Sequence, residues 1–298
     1  MNKTKRAYLQ LHFAVLLFGI TAILGALIQL PALVLVWWRV LITSISLFFL
    51  IGFGKQLHLI PKKIIFRFMG IGILVAMHWF CFFAAIQYAN ASICLVCMAT
   101  TSFFTSFLEP IILGHRIKWY EIFLGLLIVP GMVLVVNSTE LSMMSGIWLG
   151  LSSALLAALF TIFNKSYIDK AEPLSISFLE LGTACLFISL ILPFYFYKNP
   201  TLRFWPSWSD FVYLLILALA CTTLAYVLAL HALKYLSAFA SNLAVNLEPV
   251  YGIILAAVIL KEHQELSETF YLGAIVIIFA VLTYPFLKRK FGARAVDV

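Results

Sequence analysis

Residues 68–108 read FMGIGILVAMHWFCFFAAIQYANASICLVCMATTSFFTSFL, a run without a single Asp, Glu, Lys or Arg. A membrane-spanning helix needs roughly 20 residues, so this run is long enough for two. The polar stretch Gln87-Tyr88-Ala89-Asn90 divides it and predicts a turn between two helices, at about 66–86 and about 91–113. Because the apolar residues are continuous and do not alternate, the pattern indicates helices and not the strands of a membrane barrel.

The rest of the chain has the same character. It is 64% apolar and 11% charged, whereas soluble domains are about 45–50% apolar and about 25% charged. An all-α integral membrane protein is therefore predicted, with the lipid bilayer as its partner and no room for a separate soluble domain. Ten helices are expected, at about 8–29, 33–53, 66–86, 91–113, 118–136, 145–167, 174–196, 210–231, 237–260 and 267–287.

The basic residues predict the orientation. With a cytoplasmic N-terminus, the opposite side holds only Lys198, Arg203 and Lys261, and Arg39 lies within a span. This asymmetry follows the positive-inside rule and predicts that both termini are cytoplasmic. It also explains the net charge of +8 without a nucleic-acid partner. The predicted cytoplasmic residues are Lys3, Lys5, Arg6, Lys55, Lys62, Lys63, Arg67, Arg116, Lys118, Lys165, Lys170, Lys234, Lys288, Arg289, Lys290 and Arg294.

The chain also repeats itself weakly. An offset of 147 residues aligns Ala85-Ile86-Gln87-Tyr88-Ala89-Asn90-Ala91 with Ala232-Leu233-Lys234-Tyr235-Leu236-Ser237-Ala238. The pattern predicts two repeats of five helices, residues 1–138 and 139–298. Because five is odd, the second repeat is expected to be inverted, and inverted repeats place substrate sites near the membrane midplane.

Short motifs in the second half resemble the EamA family of the drug/metabolite transporter superfamily. They are Leu247-Glu248-Pro249-Val250, Leu260-Lys261-Glu262 and Gly273. The resemblance extends over essentially the whole chain and implies two five-helix repeats with both ends in the cytoplasm. In the first half, Thr101 and Ser102 stand where the family often has a proline, and His115 stands where an acidic residue is usual.

Ionisable residues inside spans are costly and therefore suggest function. Glu248 lies near mid-depth in the ninth predicted helix, and Pro249 after it frees a carbonyl one turn earlier. Asn242 and Asn246 lie on adjoining faces of the same helix. We interpret Glu248 as a group that binds an amine-bearing substrate or exchanges a proton. The alternative is a structural carboxyl that bonds a neighbouring helix.

Arg39 and Glu180 occupy equivalent second helices of the two predicted repeats. Arg39 can hold a carboxylate or phosphate through its guanidinium fork, or extend to the membrane interface. Inverted topology puts Arg39 near the outer surface and Glu180 near the inner one.

Two further groups complete the candidate site. Thr101 and Glu109 lie on one stripe of the fourth helix, which can line a polar path or bond within its own helix. His78 can titrate during transport, and Trp79 can stack on a cationic or aromatic substrate. A neutral, hydrogen-bonded histidine is the alternative.

The resemblance implies a secondary transporter with no enzymatic activity, metal or cofactor, which exports amino acids or related small metabolites by alternating access. A bacterial inner membrane is expected, with protons as a hypothetical coupling ion and a monomer or homodimer as the assembly. Two alternatives stay open. One is a flippase or transporter of a lipid-linked or nucleotide-linked sugar, and the other is a membrane-embedded enzyme.

Overall fold

The computed structural model describes residues 3–52, 57–114, 116–264 and 266–291. His115, Lys55 and Arg294, which the sequence interpretation uses, lie outside these residues. The described part is helical and contains no strand. Its α-helices are α1 Lys3–Leu27, α2 Ala32–Leu50, α3 Lys62–Tyr88, α4 Ala91–Met98, α5 Thr101–Leu113, α6 Trp119–Asn137, α7 Met144–Tyr167, α8 Pro173–Lys198, α9 Trp208–Ala218, α10 Ala225–Leu233, α11 Ala238–Val245, α12 Glu248–Leu255 and α13 Glu268–Phe291.

The all-α membrane class is confirmed. Within the described residues, nine helical stretches are long and apolar enough to cross a membrane, and they coincide with the first nine predicted spans. The tenth predicted span corresponds to α13, whose part Glu268–Ala280 is apolar. The first helix begins at Lys3, earlier than predicted, because its basic residues continue the helix instead of preceding it.

Two predicted spans are not continuous helices. The fourth is broken at Ala99 and Thr100, between α4 and α5. The ninth is broken at Asn246 and Leu247, just before Pro249, which occupies the first turn of α12. Proline is favoured at such a helix start because it lacks an N–H group. The eighth and ninth spans also contain short π-helical segments, at Leu219–Leu224 and Ala256–Leu260.

The two broken spans match in detail at the sequence offset of 147. Asn90 caps α4 by accepting from the amide of Ile93 at 2.8 Å, and Ser237 caps α11 by accepting from the amide of Ala240 at 3.1 Å. Both spans end on a left-handed residue, Gly114 with φ 68° and Lys261 with φ 59°. Glycine adopts this conformation freely, whereas lysine does so at a cost.

Close helix packing centres on α3, which packs against both α7 and α8. Gly72 of α3 permits the crossing with α8, since a Cβ at this position would overlap the main chain of Glu180. A second close pair joins α6 and α13, where a Cβ on Gly131 would lie 2.8 Å from the carbonyl oxygen of Gly273. Glycine at these positions therefore lets both helix pairs pack closely.

Candidate functional site

A cavity of about 110 Å³ lies between the helices. A single water molecule needs a cavity of roughly 10–15 Å³, so this one has room for several. Six of the nine predicted site residues line it, whereas Glu109, Glu180 and Asn246 do not. The lining residues are Phe18, Thr21, Arg39, His78, Trp79, Phe82, Met98, Thr101, Ala157, Phe160, Thr161, Asn164, Tyr226, Ala229, Leu230, Leu233, Ser241, Asn242, Val245 and Glu248.

The cavity extends toward one end of the helix bundle. Asn164 and Leu233, near the C-terminal ends of α7 and α10, line it. Next to them, the Lys165 ammonium donates to the main-chain oxygen of Leu233 at 2.8 Å. The cavity therefore approaches an end of the bundle that carries Lys165 and Lys234.

Arg39 is fully buried, with 1% of its surface exposed, so it does not extend to the membrane interface. Its Nε donates to the hydroxyl of Thr222 at 2.7 Å, and its guanidinium lies 3.9 Å from the centre of the Trp79 ring. Nη1 has no hydrogen-bond partner. The structure thus holds a rigid cation at the cavity wall with one donor group unused.

Glu248 carries the opposite charge on the same cavity. It lies at the start of α12, in the break of the ninth span, with 6% of its surface exposed. Its charge acts on Arg39, but among the described residues neither side chain takes part in an ion pair. The cavity therefore presents a buried guanidinium and a buried carboxyl group that make no direct ion pair.

The polar residues of α5 and α11 join the two broken spans. Asn242 donates to the Thr105 hydroxyl at 2.8 Å, and Asn246 donates to the Ser102 hydroxyl at 2.7 Å. Asn242 also lines the cavity, whereas Asn246 lies behind the wall. The Thr101 hydroxyl donates to the Met98 carbonyl at the end of α4, 2.6 Å away across the break.

His78 is held by one partner residue on α7. Its Nδ1 lies 2.9 Å from the main-chain oxygen and 2.8 Å from the hydroxyl oxygen of Ser153. Because a carbonyl oxygen only accepts, Nδ1 carries a proton in this contact. The other ring nitrogen is then left as the group that can exchange protons or bind a ligand.

Glu180, on α8, is completely buried beside the cavity. Its Oε2 accepts from the Tyr226 hydroxyl and, at 3.3 Å, from the Asn164 amide. Both partners line the cavity. Sequence reasoning missed Tyr226 and Asn164, although each is a polar residue within a predicted span, which is the signal that identified the other candidates.

Glu109 performs a role that its sequence position did not suggest. Its two carboxylate oxygens accept from the main-chain amides of Ala238 at 3.1 Å and Phe239 at 2.7 Å. The carboxylate therefore caps the N-terminus of α11, where free amides and the helix dipole favour a negative charge.

Glu262 caps the other broken span in the same way. It accepts from the amides of Ala91 at 3.1 Å and Ser92 at 3.0 Å, and from the Ser92 hydroxyl at 2.6 Å. The capping is therefore reciprocal. Glu109, near the end of the fourth span, caps the start of the ninth, and Glu262, just after the ninth span, caps the start of the fourth. The sequence interpretation had noted Glu262 only as part of a family motif.

In the part of the chain that the structure describes, no group of three or more His, Cys, Asp or Glu side chains is arranged to hold a metal ion.

Comparison with known proteins gives one family and one fold. The model of the EamA-like transporter family matches residues 5–137 and again residues 144–284. A search of curated proteins finds no match. Among 29 matching chains of solved structures, one described only as "Crystal structure of protein" has a TM-score of 0.69 and 15% identity, and the match covers 95% of this chain and 98% of the other. At that identity the likeness shows a shared fold alone.

Proposed function

Because the chain belongs to the EamA-like transporter family, we propose that it is a secondary transporter that exports small zwitterionic metabolites, amino acids above all, by alternating access. It is a multi-pass membrane protein, and its family is one of transporters. The observation that carries the proposal is the pair Arg39 and Glu248, which face one cavity with opposite charges and without a direct ion pair.

The chemistry of this pair fits an amino acid. The unused Nη1 of Arg39 is a donor for a substrate carboxylate, and a charged hydrogen bond of this kind is stronger than a neutral one. Glu248 accepts from a substrate ammonium. Apolar lining from Phe82, Met98 and Phe160 suits an aliphatic or aromatic side chain between the two charges.

We further propose ten spans in two inverted repeats, residues 1–138 and 139–298, with both termini cytoplasmic in a bacterial inner membrane. The two family matches and the paired caps, breaks and left-handed ends at offset 147 support this organisation. The basic residues at the end of the bundle that the cavity approaches support a cytoplasm-facing cavity. One chain is sufficient to form it, so both a monomer and a homodimer are compatible with the proposal.

A soluble substrate is favoured over a lipid-linked sugar. A flippase needs a wide lateral opening beside Arg39, whereas here the guanidinium is buried against Trp79 and Phe83. The central position of Glu248 on the cavity wall supports the same choice.

The experiment is a thermal-shift assay of the purified protein in detergent with L-leucine and two analogues that each lack one charge. These are 3-methylbutylamine, without the carboxylate, and 4-methylpentanoate, without the ammonium. Leucine at about 100 times its dissociation constant should add about 2.7 kcal/mol of stability, and each analogue should add less. The other amino acids and a lipid-linked sugar complete the panel.

Two variants identify the groups. Glu248→Gln should abolish the advantage of leucine over 4-methylpentanoate, and Arg39→Gln should abolish its advantage over 3-methylbutylamine. Glu121→Gln is the matched control. Glu121 is also a buried carboxylate on a helix, but it does not line the cavity, and its Oε1 lies 3.4 Å from the Lys118 ammonium. Equal shifts with leucine and both analogues, or a shift with the lipid-linked sugar alone, would refute the proposed substrate class.

A further inference from the structure

Glu180 and its two partners form a polar group that substrate binding by Arg39 and Glu248 leaves unused. Glu180 Oε2 accepts both available hydrogen bonds, from Tyr226 and Asn164. The second carboxyl oxygen, Oε1, is buried without a partner, and so is the Asn164 side-chain oxygen. Two buried acceptors in contacting side chains therefore lack a donor, which is unfavourable for both.

One added proton supplies a donor for the Asn164 oxygen and neutralises the carboxylate. Protonation of the Glu180 carboxylate creates an O–H donor, and the Asn164 oxygen can accept from it after rotation of its amide. One O–H bond forms, the carboxylate becomes a neutral acid, and no other covalent bond changes. The hydrogen bond from Asn164 Nδ2 to Glu180 is exchanged for one from Glu180 to the Asn164 oxygen. The same step removes a charge from a site that is completely buried.

The surroundings of Glu180 contain no counter-ion for it. Among the described residues it takes part in no ion pair, and Arg39 on α2 acts on Glu248 and Cys221. An ionised carboxylate that is buried without a cation is costly. The other charged or titratable side chains on the inward parts of α3, α7 and α10 are engaged elsewhere: Arg67 over Tyr167, His78 with Ser153, Lys165 with Leu233 and His231 with Gln10.

The cavity provides a route for the proton. Tyr226 lines the cavity, and its hydroxyl donates to Glu180. In a concerted transfer, Tyr226 passes its proton to Glu180 Oε2 and its oxygen takes one from a hydronium ion in the cavity, which becomes water, so the phenol stays neutral.

We propose that Glu180, with Tyr226 and Asn164, is the proton-binding site that couples transport to the proton gradient, separate from the substrate groups Arg39 and Glu248. The inference rests on the proposed transport function for its role in coupling, but not for proton binding itself. Glu248 is then a substrate group and not the carrier of the coupling proton.

Proton binding is tested first, without substrate. Infrared difference spectra of the purified full chain are recorded across the pH range in which it stays folded. A carbonyl band of a protonated carboxylic acid should titrate in the wild type and in Glu121→Gln, and should be missing in Glu180→Gln. An unchanged band in Glu180→Gln would overturn the assignment whatever the substrate is.

Coupling is tested in proteoliposomes with labelled L-leucine. For each variant, accumulation driven by a pH gradient is divided by leucine exchange at equal pH. This ratio should fall roughly tenfold or more in Glu180→Gln, within the usual range of coupling between linked sites, and recover in part in Glu180→Asp. A wild-type-like ratio in Glu180→Gln, or accumulation driven by a sodium gradient instead, would overturn the coupling role. Absence of leucine exchange in the wild type would count against the substrate proposal, while the infrared result still decides proton binding.

Discussion

Removal of one cap should weaken a helix in the opposite half of the chain. Glu262 follows the ninth span but holds the start of α4, through the amides of Ala91 and Ser92 and the Ser92 hydroxyl. With 7% of its surface exposed, it is buried, so water does not readily replace it. Glu262→Ala therefore leaves two buried main-chain donors without an acceptor.

The magnitude follows from the number of donors. Each buried donor left unpaired costs about 1–3 kcal/mol, so the two amides together give a loss of about 2–6 kcal/mol. The Ser92 hydroxyl also loses its acceptor, which adds to this loss. Glu109→Ala should cost a similar amount, because it also leaves two amides unpaired, those of Ala238 and Phe239.

Hydrogen–deuterium exchange in detergent measures where the weakening occurs. Glu262→Ala should accelerate exchange at residues 91–93, far from the substitution in sequence. Glu109→Ala should accelerate exchange at residues 238–240. Glu140→Ala is the control, because Glu140 is exposed and contacts only Ser142.

The reciprocal pattern makes the reasoning refutable. If Glu262→Ala accelerates exchange only around residue 262, or lowers the unfolding temperature no more than Glu140→Ala does, the carboxylate does not hold α4. If both cap variants accelerate exchange uniformly over the chain, the effect is general destabilisation and not loss of a specific cap.

Two other substitutions test the packing and the wall of the cavity. Gly72→Ala forces a methyl group against the main chain of Glu180 and should lower the free energy of unfolding by about 1–3 kcal/mol. Gly70 lies on the same helix with open space around it, so the control Gly70→Ala should leave the unfolding temperature equal or higher. Equal losses of stability in both variants would contradict the close crossing of α3 and α8. Asn246→Ala removes the hydrogen bond to Ser102 and should lower the free energy of unfolding by about 0.5–1.5 kcal/mol. The dissociation constant of leucine should stay within about twofold of wild type, because Asn246 lies outside the cavity. Loss of leucine binding in isothermal titration would show that Asn246 belongs to the substrate site.

The spans themselves could be predicted because they depend on local composition. Uncharged runs and Pro31 were sufficient to place nine apolar helices close to their observed bounds. The breaks were harder. Pro249 signals the break in the ninth span. Neither Ala99 nor Thr100 strongly disfavours a helix, so the break in the fourth span depends on packing between helices.

The candidate site could be predicted in part, because the cost of burying a charge identifies residues but not their partners. Arg39 and Glu248 were each conspicuous, yet nothing in the sequence places both on one cavity. Glu109 shows the reverse limit. The interpretation as part of a polar stripe with Thr101 followed helical spacing, whereas its actual contacts are amides 129 and 130 positions away.

The reciprocal caps also set an order of events during synthesis. When α4 enters the membrane, the ribosome has not yet made Glu262, so the amides of Ala91 and Ser92 must wait for an acceptor. Glu109, by contrast, is already present when α11 arrives. The first half to be made is therefore the last to be completed, and a chain truncated before residue 262 would insert its early helices yet leave α4 with an open end for quality-control proteases to recognise.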